Sequence, residues 1–121
     1  MENVVIRMSD TQAEVLNVDS LSVADLPDTV AAEIEPKPIL KVEPEYPYSL
    51  ESSDVTGDVF LKVLVTKTGN VRKVVILSST NVLFNRSALK AAAMWKFRPA
   101  TLNGMPVNVW VTIPFRFRLH H

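Results

Sequence analysis

Cysteine is absent from this chain of 121 residues, which excludes disulfides, thiol catalysis and cysteine metal sites. Histidine is confined to His120 and His121, which read as the remnant of a purification tag. Glycine occurs only at Gly57, Gly69 and Gly104, each beside turn chemistry, so no glycine-rich loop is present to cradle a phosphate. No stretch of some 18 apolar residues exists, and no basic segment followed by an apolar one opens the chain. The sequence therefore reads as intracellular, or as a piece of a longer exported protein.

Acidic residues are missing from the entire second half. Residues 1–58 hold all 13 acids and three bases, Arg7, Lys37 and Lys41, a formal charge of −10. Residues 59–121 hold ten bases and no acid, a formal charge of +10. Without a carboxylate after Asp58 or an internal histidine, that half cannot assemble an acid–base pair, and Ser78 and Ser79 have no base to activate them. The expectation is a protein that is not an enzyme and that uses no cofactor and no metal. The charge division fits a solvated acidic tail beside a basic domain, or attraction of the basic part to anionic partners or to the tail itself.

What is present is a patterned chain whose hydrophobic share of 47% suffices for one small core. Residues 1–37 read as an acidic, proline-containing flexible tail or linker, and residues 38–119 as the folded domain. Pro36-Lys37-Pro38 is a short extended spacer. The odd positions Val59, Leu61, Val63 and Val65 predict a strand over 58–66 with one apolar face. Lys67-Thr68-Gly69-Asn70 is turn chemistry, and Val71 to Leu77 follows as the second strand of a hairpin. Ser78 to Asn81 offers helix caps. A helix of about residues 82–95 places Phe84, Ala88, Ala91, Ala92 and Trp95 on one side. Trp95 is expected to be buried between helix and sheet, near Val59 and Leu61. Asn103-Gly104 is a second turn, and alternation from Val107 to Leu119 predicts a long last strand. The fold class is α+β: a three-stranded antiparallel sheet, order 71–77, 58–66, 107–119, with one main helix on one face.

Pro114 lacks an N–H, which places strand 107–119 at an edge with its even-numbered backbone groups outward, the alternative being a bulge at Pro114 that leaves the edge unassigned. The candidate partner-binding residues are therefore Asn108, Trp110 and Thr112, with the bases Arg116 and Arg118 at the far end. An unblunted edge beside Phe60, Leu64 and Trp110 suits strand addition by a peptide, and equally a dimer. An open sheet face with Phe60, Trp110 and nearby bases also admits single-stranded nucleic acid as the less favoured reading. Residues 3–8, Asn3 to Met8, form a β-prone run that could dock on this outer edge in the same molecule or a neighbour. The ordering cost of six residues stands against that.

Taken in order, Tyr46-Pro47, Gly57-Asp58-Val59, Gly69-Asn70-Val71, Ser78-Ser79, Ala88-Leu89, Trp95-Lys96-Phe97-Arg98-Pro99-Ala100, Asn103-Gly104-Met105-Pro106-Val107 and Ile113-Pro114-Phe115-Arg116-Phe117 resemble the C-terminal domain of TonB energy transducers. The resemblance covers residues 38–119. It marks Tyr46, Pro47, Gly57, Gly69, Trp95, Phe97, Pro99, Gly104, Pro114 and Phe115 as fold-defining. It implies a periplasmic module that grips the Ton box of an outer-membrane transporter by adding it as a strand beside the last strand. It also implies an inner-membrane helix, absent from this chain, that couples to the ExbB–ExbD motor, and a role in uptake of iron chelates such as siderophores or of other scarce nutrients. The same domain type occurs in structural or signalling proteins, where the edge would serve interaction or homodimerisation. The segment Glu2-Asn3-Val4-Val5-Ile6 itself resembles a Ton box. No nucleic-acid partner is expected, because the sequence holds no recognised RNA-binding motif and the acidic tail would compete for the site.

Overall fold

A computed structural model describes residues 15–17 and 29–119. Three long antiparallel strands dominate it: β3 (Gly57–Val65), β4 (Val71–Ser79) and β8 (Val109–Phe117). Strand β3 is central, paired to β4 on one side and to β8 on the other. This is the three-strand order expected from Pro114 and from the apolar character of β3. A fourth strand, β1 (Val15–Asn17), pairs antiparallel with β4, giving the order β1-β4-β3-β8. It comes from the segment expected to be linker. The Ton-box-like run at residues 3–8 lies outside the described residues, and the described strand from that segment sits on the edge opposite β8.

The alternating pattern of β3 becomes its burial: Val59, Leu61, Val63 and Val65 are fully buried. On β8 the same face carries Val109, Ile113, Phe115 and Phe117. Strand β4 breaks the alternation. Its register against β3 skips Leu77, between Ile76 and Ser78, and Arg72, between Val71 and Lys73. Each skipped residue is the extra member of a β-bulge. The bulge at Arg72 shifts parity, so Val71, Val74 and Ile76 all reach the core. The bulge at Leu77 leaves that side chain half exposed.

The helical segment has two parts. Val82–Phe84 is a 3₁₀ turn, capped by the Asn81 side chain accepting the Leu83 N–H at 2.9 Å. Helix α2 (Asn85–Ala93) follows and packs chiefly on β4 through Ala88, Ala91 and Ala92. Small residues let its backbone approach the sheet, while Phe84 fills the space at its start. Phe84 is fully buried and stacks on Phe117 at 4.2 Å, and Tyr46 meets both rings edge-on. The Tyr46 hydroxyl donates to the Val55 carbonyl at 2.5 Å. That bond ties down a short helix, α1 (Tyr48–Ser52), which opens at Pro47. Asp54, at φ 59°, closes α1: Val55 N–H reaches Leu50 O and Asp54 N–H reaches Glu51 O, the paired bonds of a Schellman stop.

The helix ends at Ala93, two residues short of the expected limit, because the chain is needed as strand β5 (Lys96–Arg98). Its Phe97 N–H donates to Gly69 O at 2.9 Å, stitching the hairpin turn to the chain after the helix. Gly69, at φ +86°, has no room for a Cβ, which would lie 2.0 Å from Phe97 O. Strand β5 also pairs with β2 (Lys37–Leu40). Trp95 differs from expectation: it is half-buried, and its ring packs on Phe97 and Phe115 at 5.9 and 6.0 Å. An indole donates hydrogen bonds, and full burial against Val59 and Leu61 would have left its N–H without a partner. Instead Nε1–H donates to Val42 O at 3.0 Å, which holds the ring at the rim of the core. The expected last strand is split. Strands β6 (Ala100–Leu102) and β7 (Met105–Val107) form a hairpin over Asn103-Gly104, both at positive φ, and β8 begins after Asn108.

Candidate functional site

Strand β8 is an edge strand nine residues long. Its side chains divide by parity. Ile113, Phe115 and Phe117 are buried on the helix side, whereas Thr112, Pro114 and Arg116 are exposed on the other. Pro114 sits opposite Phe60 of β3, and its missing N–H costs nothing when that position faces away from the ladder. The carbonyl of Asn108, of the same parity, accepts the Val30 N–H at 3.1 Å. An even-numbered carbonyl at the start of this edge therefore takes a main-chain donor from an extended segment.

The expected partner-binding residues fall into two groups. Trp110, Thr112 and Arg116 lie along the edge and the sheet face beside it. Asn108 and Arg118 are committed elsewhere. Asn108 is buried, its Oδ1 accepts the Lys67 N–H at 2.9 Å, and it separates β7 from β8 instead of continuing a strand. Arg118 is held by Asp58 at 2.9 Å and donates to Gly57 O at 3.1 Å. Asp58 is the last acid of the chain, and the register that sets it opposite Arg116 brings Arg118 within reach.

On the face away from α2, two cations lie over aromatic rings. Lys62 Nζ is 4.6 Å from the centre of the Trp110 ring, and the Arg116 guanidinium is 5.5 Å from that of Phe60. Both are diagonal contacts between β3 and β8, the geometry in which long side chains on neighbouring strands meet. Lys73, on the next strand, is buried, and its pKa is lowered by that burial and secondarily by the positive charge of Lys62. Leu64 is fully buried on this same face. Lys62 was missed as a site residue. Its signal was its even position in the first strand, which places it beside Thr112 once the register is known.

Of the residues expected to define the fold, Gly57 lacks room rather than needing unusual dihedrals. A Cβ there would meet Thr80 Oγ1 at 2.6 Å and the Phe84 ring at 2.7 Å. Gly104 is the reverse case, at φ +79° with open space around it. Phe97 and Phe115 are buried, and Pro99 packs near the Gly69 turn. Elsewhere, a shallow groove of about 300 Å³ runs between Glu45, Pro47 and the Leu83, Arg86, Ser87 and Lys90 side of the helix. Ser87 Oγ donates to Glu45 O across it. Among the described residues no group of His, Cys, Asp or Glu could hold a metal ion, and no helix is long and apolar enough to cross a membrane.

Comparison with known proteins bears on this arrangement. Residues 42–119 match the family model described as Gram-negative bacterial TonB protein C-terminal. Protein TonB of Vibrio cholerae is 36% identical over 80 residues, covering 65% of this chain and 33% of its own length. Protein TonB of Xanthomonas campestris is 38% identical over 78 residues, covering 64% of this chain and 35% of its own. Protein TonB of Klebsiella pneumoniae is 30% identical over 102 residues, 84% of this chain and 40% of its own. The chain thus spans about a third of the length of the curated relatives it matches. The solution structure of the Pseudomonas aeruginosa TonB C-terminal domain superposes with a TM-score of 0.62 at 26% identity, covering 72% of this chain and 89% of that one. With the matched residues taking in every strand from β3 to β8, the chain belongs to the family of C-terminal domains of Gram-negative TonB proteins.

Proposed function

We propose that this domain is the periplasmic end of a TonB-type energy transducer. It binds the Ton box of an outer-membrane transporter by taking it as an added strand on the outer edge of β8. In the whole protein an inner-membrane helix would link it to the ExbB–ExbD motor, and the bound segment would pass force to the transporter. The observation that supports this reading is the β8 edge: long, apolar on its inner face, with Pro114 turned outward and Asn108 O already accepting an extended segment. Main-chain hydrogen bonds supply affinity in such a contact, and side chains beside the edge supply choice. Val30 marks its near limit, so a docked strand running past Trp110 would have to displace that residue.

The test is a backbone-amide titration of the chain with a panel of Ton-box peptides. The largest shifts are expected at Trp110 and Thr112, with Asn108 and Val30 following only for the longer peptides. Thr112→Pro should weaken binding by the value of one or two backbone hydrogen bonds, about 0.5–1.5 kcal/mol each. Shifts confined to β4 would overturn the proposal.

A further inference from the structure

We propose, resting on the β8 docking reading, that the face beside this edge selects an acidic peptide. The preferred strand carries two carboxylate side chains on one face, four residues apart, one beside Arg116 and one beside Lys62. The first ground is two cations without a direct ion-pair partner. Arg118 has Asp58, but among the described residues no carboxylate lies within ion-pair distance of Arg116 or Lys62. The second is placement. Side chains of an added strand alternate, so those sharing this face stand beside Trp110, Thr112, Pro114 and Arg116. Lys62 is level with Thr112 in the register, and its ammonium leans toward β8 over Trp110. From Thr112 to Arg116 is four residues, about 13 Å along a strand. A spacing of four preserves parity, so both carboxylates reach the same face whichever way the peptide runs.

The third ground is preorganisation. Lys62 rests on the Trp110 ring toward the edge, which limits its rotamers before the partner arrives, whereas Arg116 rests on Phe60 of β3 and swings outward to meet its carboxylate. A cation–π contact does not neutralise charge, so both heads still attract an anion. The same contacts argue against nucleic acid. The ring faces that bases would stack on carry Lys62 and Arg116, and stacking would have to displace them first. Lys73, next to Lys62 on the same face, adds to the positive field. Thr112 and Pro114 carry no charge and set the neutral interval between the two acidic positions.

The experiment titrates the full chain with three ten-residue peptides of alternating valine and threonine. They carry glutamate, glutamine or lysine at two same-face positions four residues apart. The glutamate peptide should bind about tenfold tighter than the glutamine one, the lysine peptide should be weakest, and the spread should narrow in high salt. Arg116→Gln should shrink the preference and Arg116→Glu should abolish it, because Lys62 still favours the second carboxylate while the glutamate at position 116 repels the first. Unchanged urea midpoints for both variants would show that the lost preference is not misfolding. Equal affinity of the three peptides, or an order untouched by Arg116→Glu, would overturn this inference while leaving the docking edge intact. If none of them moves the amides of Trp110 and Thr112, the docking reading fails and this one with it. Oligothymidine that competes with the glutamate peptide at those amides would overturn it in favour of a nucleic-acid surface.

Discussion

Gly57→Ala adds one methyl group and should destabilise the domain out of proportion to its size. The backbone at Gly57 is not in the left-handed region, so alanine meets no dihedral penalty there. All of the cost comes from space. The new Cβ would lie 2.6 Å from Thr80 Oγ1 and 2.7 Å from Phe84 Cε2, well inside contact distance. Thr80 Oγ1 also accepts the Asp58 N–H at 3.0 Å, so moving it loosens the start of β3. Phe84 has no free direction: it is fully buried, stacked on Phe117 at 4.2 Å and bordered by Tyr46. Overpacking a filled core costs roughly 1–3 kcal/mol. For a domain of this size each kcal/mol lowers the melting temperature by roughly 4–8 °C. The assay is a double-mutant cycle by urea denaturation with Phe84→Leu. Leucine leaves a cavity when substituted alone, but it makes room for the methyl group added at position 57. The pair should therefore be less destabilised than the sum of the singles, with a coupling on the order of 1 kcal/mol. Gly104→Ala is the control, since open space surrounds it and its φ of +79° alone opposes alanine. It should show no coupling to Phe84. A neutral Gly57→Ala, or strict additivity with Phe84→Leu, would refute the steric reasoning.

Other expectations follow from single contacts. Trp95→Phe keeps an aromatic ring beside Phe97 and Phe115 but removes the donor to Val42 O, so urea denaturation should show a loss of about 0.5–1.5 kcal/mol. Tyr46→Phe removes the bond to Val55 O and should cost a similar amount, with amide exchange quickening first in the stretch from Leu50 to Val55. Lys73→Met should raise stability at neutral pH, because burial disfavours the ammonium. Lys73 has its folded-state pKa lowered below 10.5, so the unfolded chain binds more protons as pH climbs toward that value, and the wild type gains stability across that window. Paired urea melts should therefore show the advantage of methionine shrinking as the pH approaches about 10, and an advantage independent of pH would contradict this.

Strands β3 and β8 were legible because one face of each is apolar without interruption, and Pro114 settled which of them lies outside. Strand β1 was not legible. Three residues, Val15 to Asn17, are too few to show a period, and their role depends on an edge offered by distant β4. The bulges at Arg72 and Leu77 hid in the same way: local alternation says nothing of a skipped partner. The helix was placed but overrun at both ends, since Val82 to Phe84 has helical composition yet winds as a 3₁₀ turn, and Trp95 answers to Val42. In the candidate site, parity grouped Trp110, Thr112 and Arg116 on one face of β8, where the structure also has them. What it could not reveal was prior commitment: Asn108 to Lys67, and Arg118 to Asp58, each through a contact spanning some 40 or 60 residues of chain. Lys62 became visible only when register joined two strands that are far apart in sequence.

The pairing of β1 with β4 sets the valence of the sheet. A sheet with two open sides can be extended from both, and copies joined that way continue into a filament. Here Val15 to Asn17 already pair with Lys73 to Val75 of β4, and among the described residues the outer side of β8, from Trp110 onward, is the long edge left over. Under the docking proposed above, a single extended segment fills that edge. Val15 to Asn17, three residues in a stretch that reads as linker, thus make the two long outer strands of the sheet unequal, β4 partly paired and β8 open from Trp110 onward among the described residues.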